Sequence, residues 1–187
     1  MGNKDSKAKG RSTVHSAAIN PSAPANRRRI AETAMAKREI KEVQLAMGCY
    51  WTGEGRLGAV RGVVSTQAGS CPGHFETVLV RYDSTVTSPD EISRKSGFRL
   101  VKGFQRFSSA SSSQQKYYLQ HSNGLSKLLT NPRQGGLVRG SPTLAAQMNS
   151  LIGGNGSKAL LDEVAVVAKL TLQEKELLIR YYHARRR

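Results

Sequence analysis

The chain has 187 residues, with 29 Lys and Arg against 13 Asp and Glu, a formal charge of +16 at pH 7. That length suits one domain with tails, and such an excess predicts attraction to a polyanion while saying nothing about fold. Two cysteines, Cys49 and Cys71, exclude a secreted disulfide framework and read as thiols of a reducing, intracellular compartment. The cytoplasm is the leading expectation, with mitochondrion or flagellum as alternatives.

The charge is uneven along the chain. Residues 1–42 carry ten basic and four acidic side chains, residues 111–187 carry eleven and four, and the middle carries eight and five. Basicity therefore belongs mainly to the extensions, and a polyanionic partner such as RNA or an acidic protein surface is expected to bind through them. Residues 1–29 are rich in Lys, Arg, Ser, Ala, Asn and Pro, a composition that stays disordered unless a partner orders it. The opening Met1-Gly2-Asn3-Lys4-Asp5-Ser6 fits N-myristoylation at Gly2, with Lys7 and Lys9 as an electrostatic second signal. Peripheral membrane attachment follows only if Gly2 is acylated. A plain basic arm and a mitochondrial transit segment are the alternatives, and Asp5 weighs against the second. No apolar run approaches the ~18 residues of a membrane span, so a soluble or peripherally attached protein is expected.

Residues 27–42 lack Gly and Pro and read as a helix leading into a first strand over 43–47. Gly48 stops that apolar run, and Cys49-Tyr50-Trp51-Thr52-Gly53-Glu54 follows, which reads as a tight turn opening a short helix over 50–57. Cys49 then stands at a helix N-terminus, where unpaired N–H groups and the macrodipole favour an anion. The thiolate is the nucleophilic form of a cysteine. A buried structural cysteine behind core aromatics is the other reading of the same segment. A second strand is predicted over 60–66 and a third, well alternated, over 75–82. Ser88-Pro89 caps a helix ending near Gly97, and a further strand is predicted over 98–107. Beyond a serine-rich stretch at 108–113 lies a polar, Gly-rich segment over 122–140. A helix capped by Ser141-Pro142 follows, to residue 152. After Gly153-Gly154-Asn155-Gly156 come two more helical stretches, 158–170 and 171–183, the second opened by a Thr171-x-x-Glu174 capping box. Its face of Leu172, Leu177, Leu178 and Tyr181 docks on the domain or binds a partner. The division read from this pattern is a tail over 1–29, an α/β domain over 30–121, and a polar linker with helical extension over 122–187.

Three ordered blocks give the chain a family resemblance. They are Gly48-Cys49-Tyr50-Trp51, then Gly62-Val63-Val64-Ser65-Thr66-Gln67-Ala68-Gly69, then Gly73-His74-Phe75-Glu76-Thr77-Val78-Leu79-Val80-Arg81-Tyr82-Asp83. Together, over about residues 43 to 110, they resemble the peptide methionine-S-sulfoxide reductase family, type A. The resemblance implies an α/β (α+β) fold, a two-layer ferredoxin-like sandwich. It implies Cys49 as nucleophile, Glu76 as the acid that protonates the departing oxygen, and Tyr50 and Trp51 as walls of a methyl pocket beside His74. Oxidised methionine in proteins is the implied substrate, and no metal or cofactor is implied beyond an external thiol reductant such as thioredoxin. The sequence also departs from the family pattern. Ser70 stands where the family has a tyrosine that holds the sulfoxide oxygen, Phe107 replaces a second tyrosine, and Lys102 falls at a nearby acidic position. The insert before Gly73 is cut to Cys71-Pro72, and no cysteine follows Cys71, which leaves Cys71 as the one resolving thiol within the chain. Loss of an oxyanion-type donor commonly costs about 10²-fold in rate. Two functions follow as expectations: a reductase with weakened activity, or a catalytically degenerate relative built into a large assembly. A ribosome, another ribonucleoprotein or a cytoskeletal or axonemal array is the kind of assembly its tails would suit.

Overall fold

The structure, a computed structural model, describes residues 38–186. Gly2, the tail over 1–29 and most of the helix expected over 27–42 lie outside the described residues. The last part of that expected helix is strand instead: β1 spans Ile40–Ala46. Ile40, Lys41 and Glu42 pair with Asp83, Tyr82 and Arg81, so a long antiparallel ladder overrides local helix preference. Helix α1 follows at Tyr50–Leu57, as the sequence predicts. Strand β2 runs Val63–Cys71 and β3 runs His74–Asp83. The second strand is displaced from its expected 60–66 range because Val60 turns inward behind α1 and pairing persists past Gly69. Pro72 and Gly73 close the hairpin, with Gly73 at φ 77; proline then a positive-φ glycine is what a type II turn favours.

Helix α2 spans Pro89–Ser96, with Ser88 accepting from the Glu91 N–H at 3.2 Å and Gly97 left-handed at its end. Of the strand expected over 98–107 only β4 at Arg99–Leu100 forms, and β5 at Ser108–Ser109 lies just beyond that range. The physical reason lies in the sheet order, β4-β1-β3-β2-β5, every neighbouring pair antiparallel. β4 and β5 sit on opposite edges, so the segment between them must cross a face of the sheet. Gln44 tethers that crossing: its side-chain N–H donates to the Gln105 carbonyl at 2.7 Å, and its Oε1 accepts from the Gln105 N–H at 2.9 Å. Gln44 is buried, and the paired bonds satisfy both ends of its amide.

The other face carries α1 and α2, with Leu45, Leu57, Val78, Val80 and Ile92 in one apolar cluster. Helix α3, only Tyr117–Gln120, and a small hairpin of β6 (Leu129–Thr130) and β7 (Leu137–Val138) fill the region expected to be featureless. Helices α4 (Pro142–Ile152), α5 (Lys158–Val167) and α6 (Leu172–Ala184) keep the predicted caps at Ser141 and Thr171 and add one at Ser157. Leu119, Leu125, Leu151, Val164 and Leu178 share a second apolar cluster, so the core runs across the division expected at 121 and 122. The described residues are thus mixed α/β: a five-stranded antiparallel sheet with helices. No helix among them is long and apolar enough to cross a membrane.

Candidate functional site

Cys49 is the N-cap residue of α1, extended at φ −153, and its carbonyl accepts from the Gly53 N–H at 3.0 Å. Its thiol makes no capping hydrogen bond, and the residue is half-buried with a free sulfur. The N–H of Tyr50, first of the helix donors left without an intrahelical partner, donates to Glu76 Oε2 at 2.5 Å. Glu76 therefore reaches from β3 to the same helix end that Cys49 opens. That bond satisfies a helix donor with no intrahelical partner, so Glu76 holds the entry of α1 whatever else it does. Its own carbonyl accepts from the Met47 N–H at 3.0 Å, fixing the turn on both sides of Gly48. The Tyr50 phenol is pushed above its ordinary value by burial, and further by negative charge on Glu76 and Cys49. Those contributions mark the three side chains as one neighbourhood.

Glu76 and His74 line an open cleft of ≈ 650 Å³ with Gly48, Phe98 and Arg99. His74 also borders a second hollow with Ser70, Cys71, Arg106 and Ser108. Cys49, Tyr50, Glu76 and His74 thus lie at one end of the sheet, and the cleft itself is lined by Glu76 and His74 but not by Cys49 or Tyr50.

Other expected residues are placed differently. Trp51 lies under Tyr117, ring centroids 3.9 Å apart and nearly parallel, and its indole N–H donates to Gln114 Oε1 at 2.8 Å. One face of the expected pocket wall is already covered. The Phe107 ring rests on Gly69, where an added Cβ would come within 2.4 Å of it. Gly69 pairs with Thr77, whose side chain alternates with those of Glu76 and Val78, so Phe107 packs on the face away from α1. Cys71 is buried on that same face, its sulfur 3.3 Å from Thr77 Oγ1. A resolving role for Cys71 would need it on the Cys49 side of the sheet, and it does not face that way here. Lys102 is exposed on the crossing segment, its backbone carbonyl accepting from Gln105 Nε2 at 3.2 Å.

The polar lock between α1 and the segment before α3 was missed by sequence reasoning. Glu54 and Lys116 are both fully buried, with Lys116 Nζ 2.5 Å from Glu54 Oε1 and 2.6 Å from the Thr66 carbonyl. Thr66 Oγ1 and the Lys116 N–H also donate to the Glu54 carboxylate. Gln115 then takes both backbone groups of Ala68, at 2.8 Å each. These bonds fix the approach of Tyr117 to Trp51. A glutamate three residues beyond Trp51 and a lysine beside Tyr117 carry no signal of pairing across 62 residues.

Among the described residues no group of three or more His, Cys, Asp and Glu gathers to hold a metal ion. No protein-family model matches the chain, and no curated protein matches it.

Proposed function

We propose that this chain is a methionine-S-sulfoxide reductase-like protein of weakened activity, reducing oxidised methionine in proteins through Cys49. The observation that carries the reading is the shared helix end: Cys49 opens α1 and Glu76 binds the next backbone N–H at 2.5 Å. The strand order β4-β1-β3-β2, with α1 between β1 and β2 and α2 between β3 and β4, supports a ferredoxin-like βαββαβ arrangement. In the step itself, the Cys49 thiolate attacks the sulfoxide sulfur and the oxygen passes to Cys49. Methionine leaves as the thioether and Cys49 becomes a sulfenic acid, with Glu76 supplying the proton that the oxygen needs. Two thiols of an external reductant such as thioredoxin then return Cys49 to a thiol, releasing water and a disulfide. Ser70 and Phe107 do not offer the hydroxyl pair expected at the oxygen, and the Tyr50 phenol, which feels both Cys49 and Glu76, is the donor assigned here. Single-turnover conversion of a methionine-S-sulfoxide peptide by the reduced protein tests this, and a folded protein that yields no methionine refutes it.

A second reading is a reductase-like scaffold without turnover, serving in a ribonucleoprotein or cytoskeletal assembly. The Tyr117 ring over Trp51 favours it, because it closes one side of the methyl slot. So does the +16 charge. Co-sedimentation with a large particle, combined with no methionine formed, selects this reading.

A further inference from the structure

The basic side chains in the middle of the chain are not scattered. Arg56 from the last turn of α1, Arg61 from the turn after it, and Arg94 and Lys95 from α2 line one trough of ≈ 620 Å³. All four are exposed. The backbones of Gly97 and Gly156 help to form its lining, and among the described residues no carboxylate lines it. Lys95 is paired with Glu91 at 2.7 Å on its own helix, and Arg56 lies over the Phe98 ring at 5.5 Å. Arg61 and Arg94 make no ion pair among the described residues. Arg186 comes to the same rim, donating to the Gly156 carbonyl at 3.0 Å. The strip ends beyond Arg61, where Asp83 and Glu163 enter the neighbouring cleft.

We propose that this trough is a nucleic-acid site that holds the sugar-phosphate backbone of RNA. The assignment is independent of the Cys49 chemistry, and it puts polyanion binding on the folded domain rather than on the tails alone. Guanidinium groups match phosphate as paired donors, and like charges held together unpaired on a surface repel unless a polyanion neutralises them. Glycine backbone in the lining lets a phosphate approach closely. Among the described residues Ala59 and Val60 supply the only apolar side chains of the lining. That leaves little to anchor a protein partner, because protein interfaces take much of their energy from large buried anchors. Phosphate-directed binding of this kind gives affinity without sequence preference.

The test uses the full chain and a fluorescently labelled single-stranded oligouridine, with anisotropy read over a series of salt concentrations. Arg61→Glu with Arg94→Glu reverses two exposed cations that make no ion pair among the described residues. Arg133→Glu with Arg139→Glu, exposed around the β6–β7 hairpin, makes the same change in net charge elsewhere. Unchanged thermal unfolding of both variants is checked first. The trough variant is expected to bind at least about tenfold more weakly, with the log–log salt slope shallower by about 1.4, at ~0.7 for each phosphate that the variant no longer neutralises. The hairpin variant is expected to stay close to wild type. Equal weakening in both variants would overturn the site, since it would mean diffuse attraction to net charge. Displacement of the RNA by polyglutamate as effectively as by unlabelled RNA would overturn the nucleic-acid assignment.

Discussion

Tyr50 stands beside Cys49 and Glu76, and its chemistry follows from that position. Burial raises its phenol, and Glu76 and Cys49 add to the shift, so the folded state holds this proton more tightly than the unfolded chain does. The stability linked to Tyr50 is therefore intact below the ordinary tyrosine value of about 10 and lost as pH rises through the raised value. Tyr50→Phe should remove that part of the alkaline loss, read as a smaller drop in the urea midpoint between neutral and alkaline pH. The same substitution should lower single-turnover sulfoxide reduction by about tenfold or more, because a donor at developing negative charge acts on the transition state. Phe107→Tyr should leave that rate unchanged, since its ring packs on Gly69 behind the sheet. An increase with Phe107→Tyr would mean that the crossing segment rearranges on binding substrate. The place of Cys49 and Tyr50 at a helix start was legible locally, from a glycine-stopped strand, whereas Glu76 was singled out only through the family resemblance, since a carboxylate on an alternating strand carries no signal of its own. The covering of Trp51 was not legible, because its partner Tyr117 lies 66 positions on, in a segment held by Gln114, Gln115 and Lys116 through bonds that local pattern does not announce.

Elements whose ends are set by their own residues matched their expected bounds, and elements set by distant pairing did not. Ser88, Ser141 and Thr171 each accept a bond from the N–H three residues on, so α2, α4 and α6 could be placed from sequence. β1 begins earlier because β3 extends it, and 101–107 is a crossing segment because the sheet edges it joins lie on opposite sides. At α6 the Thr171 N–H bonds to Glu174 and holds that carboxylate below its usual range, helped by the Thr171 hydroxyl and Lys127 against the cost of burial. A lowered folded value gives stability that is present above the unfolded carboxylate value of about 4.3 and lost as pH falls through the lowered one. Thr171→Ala should cost about 1 kcal/mol at neutral pH, and Glu174→Gln should flatten the acid side of the stability profile. A neutral result at Thr171 in urea unfolding would show that α6 is held by Leu178 and Tyr182 alone. The buried Glu54–Lys116 pair should cost more when broken. Lys116→Met leaves Glu54 buried without its ion-pair partner, a change on the order of 3–5 kcal/mol. Combining it with Glu54→Gln should recover part of that loss. Additive losses in the double variant would mean that the two groups act separately.

At the scale of the whole molecule, the proposed thiol site and the basic trough are neighbours, with Gly97 lining both the Glu76 cleft and the trough. Cys49 and Glu76 meet at one end of the sheet, while the trough of Arg56, Arg61, Arg94 and Lys95 runs between α1 and α2. Removal of residues 1–29 together with Arg185, Arg186 and Arg187 should weaken polyanion binding and its salt dependence while leaving the fold and Cys49 chemistry intact. Circular dichroism and salt-dependent sedimentation of the truncated protein check this, and an unfolded product would show that the ends of the chain are part of the domain. The basic trough was hidden in the sequence because the middle of the chain has nearly balanced charge; only folding brings its arginines together. The most direct test of thiol-based reduction at Cys49 is one mixing experiment. Reduced protein meets a stoichiometric methionine-S-sulfoxide peptide without added thiol, in the presence of a sulfenic-acid trap, and mass spectrometry reads both products. Methionine peptide forming together with trapped oxidation at Cys49, both lost in Cys49→Ser and kept in Cys71→Ser, is the expected result. A folded wild-type protein that leaves the sulfoxide intact, or that reduces it equally well as Cys49→Ser, would contradict it.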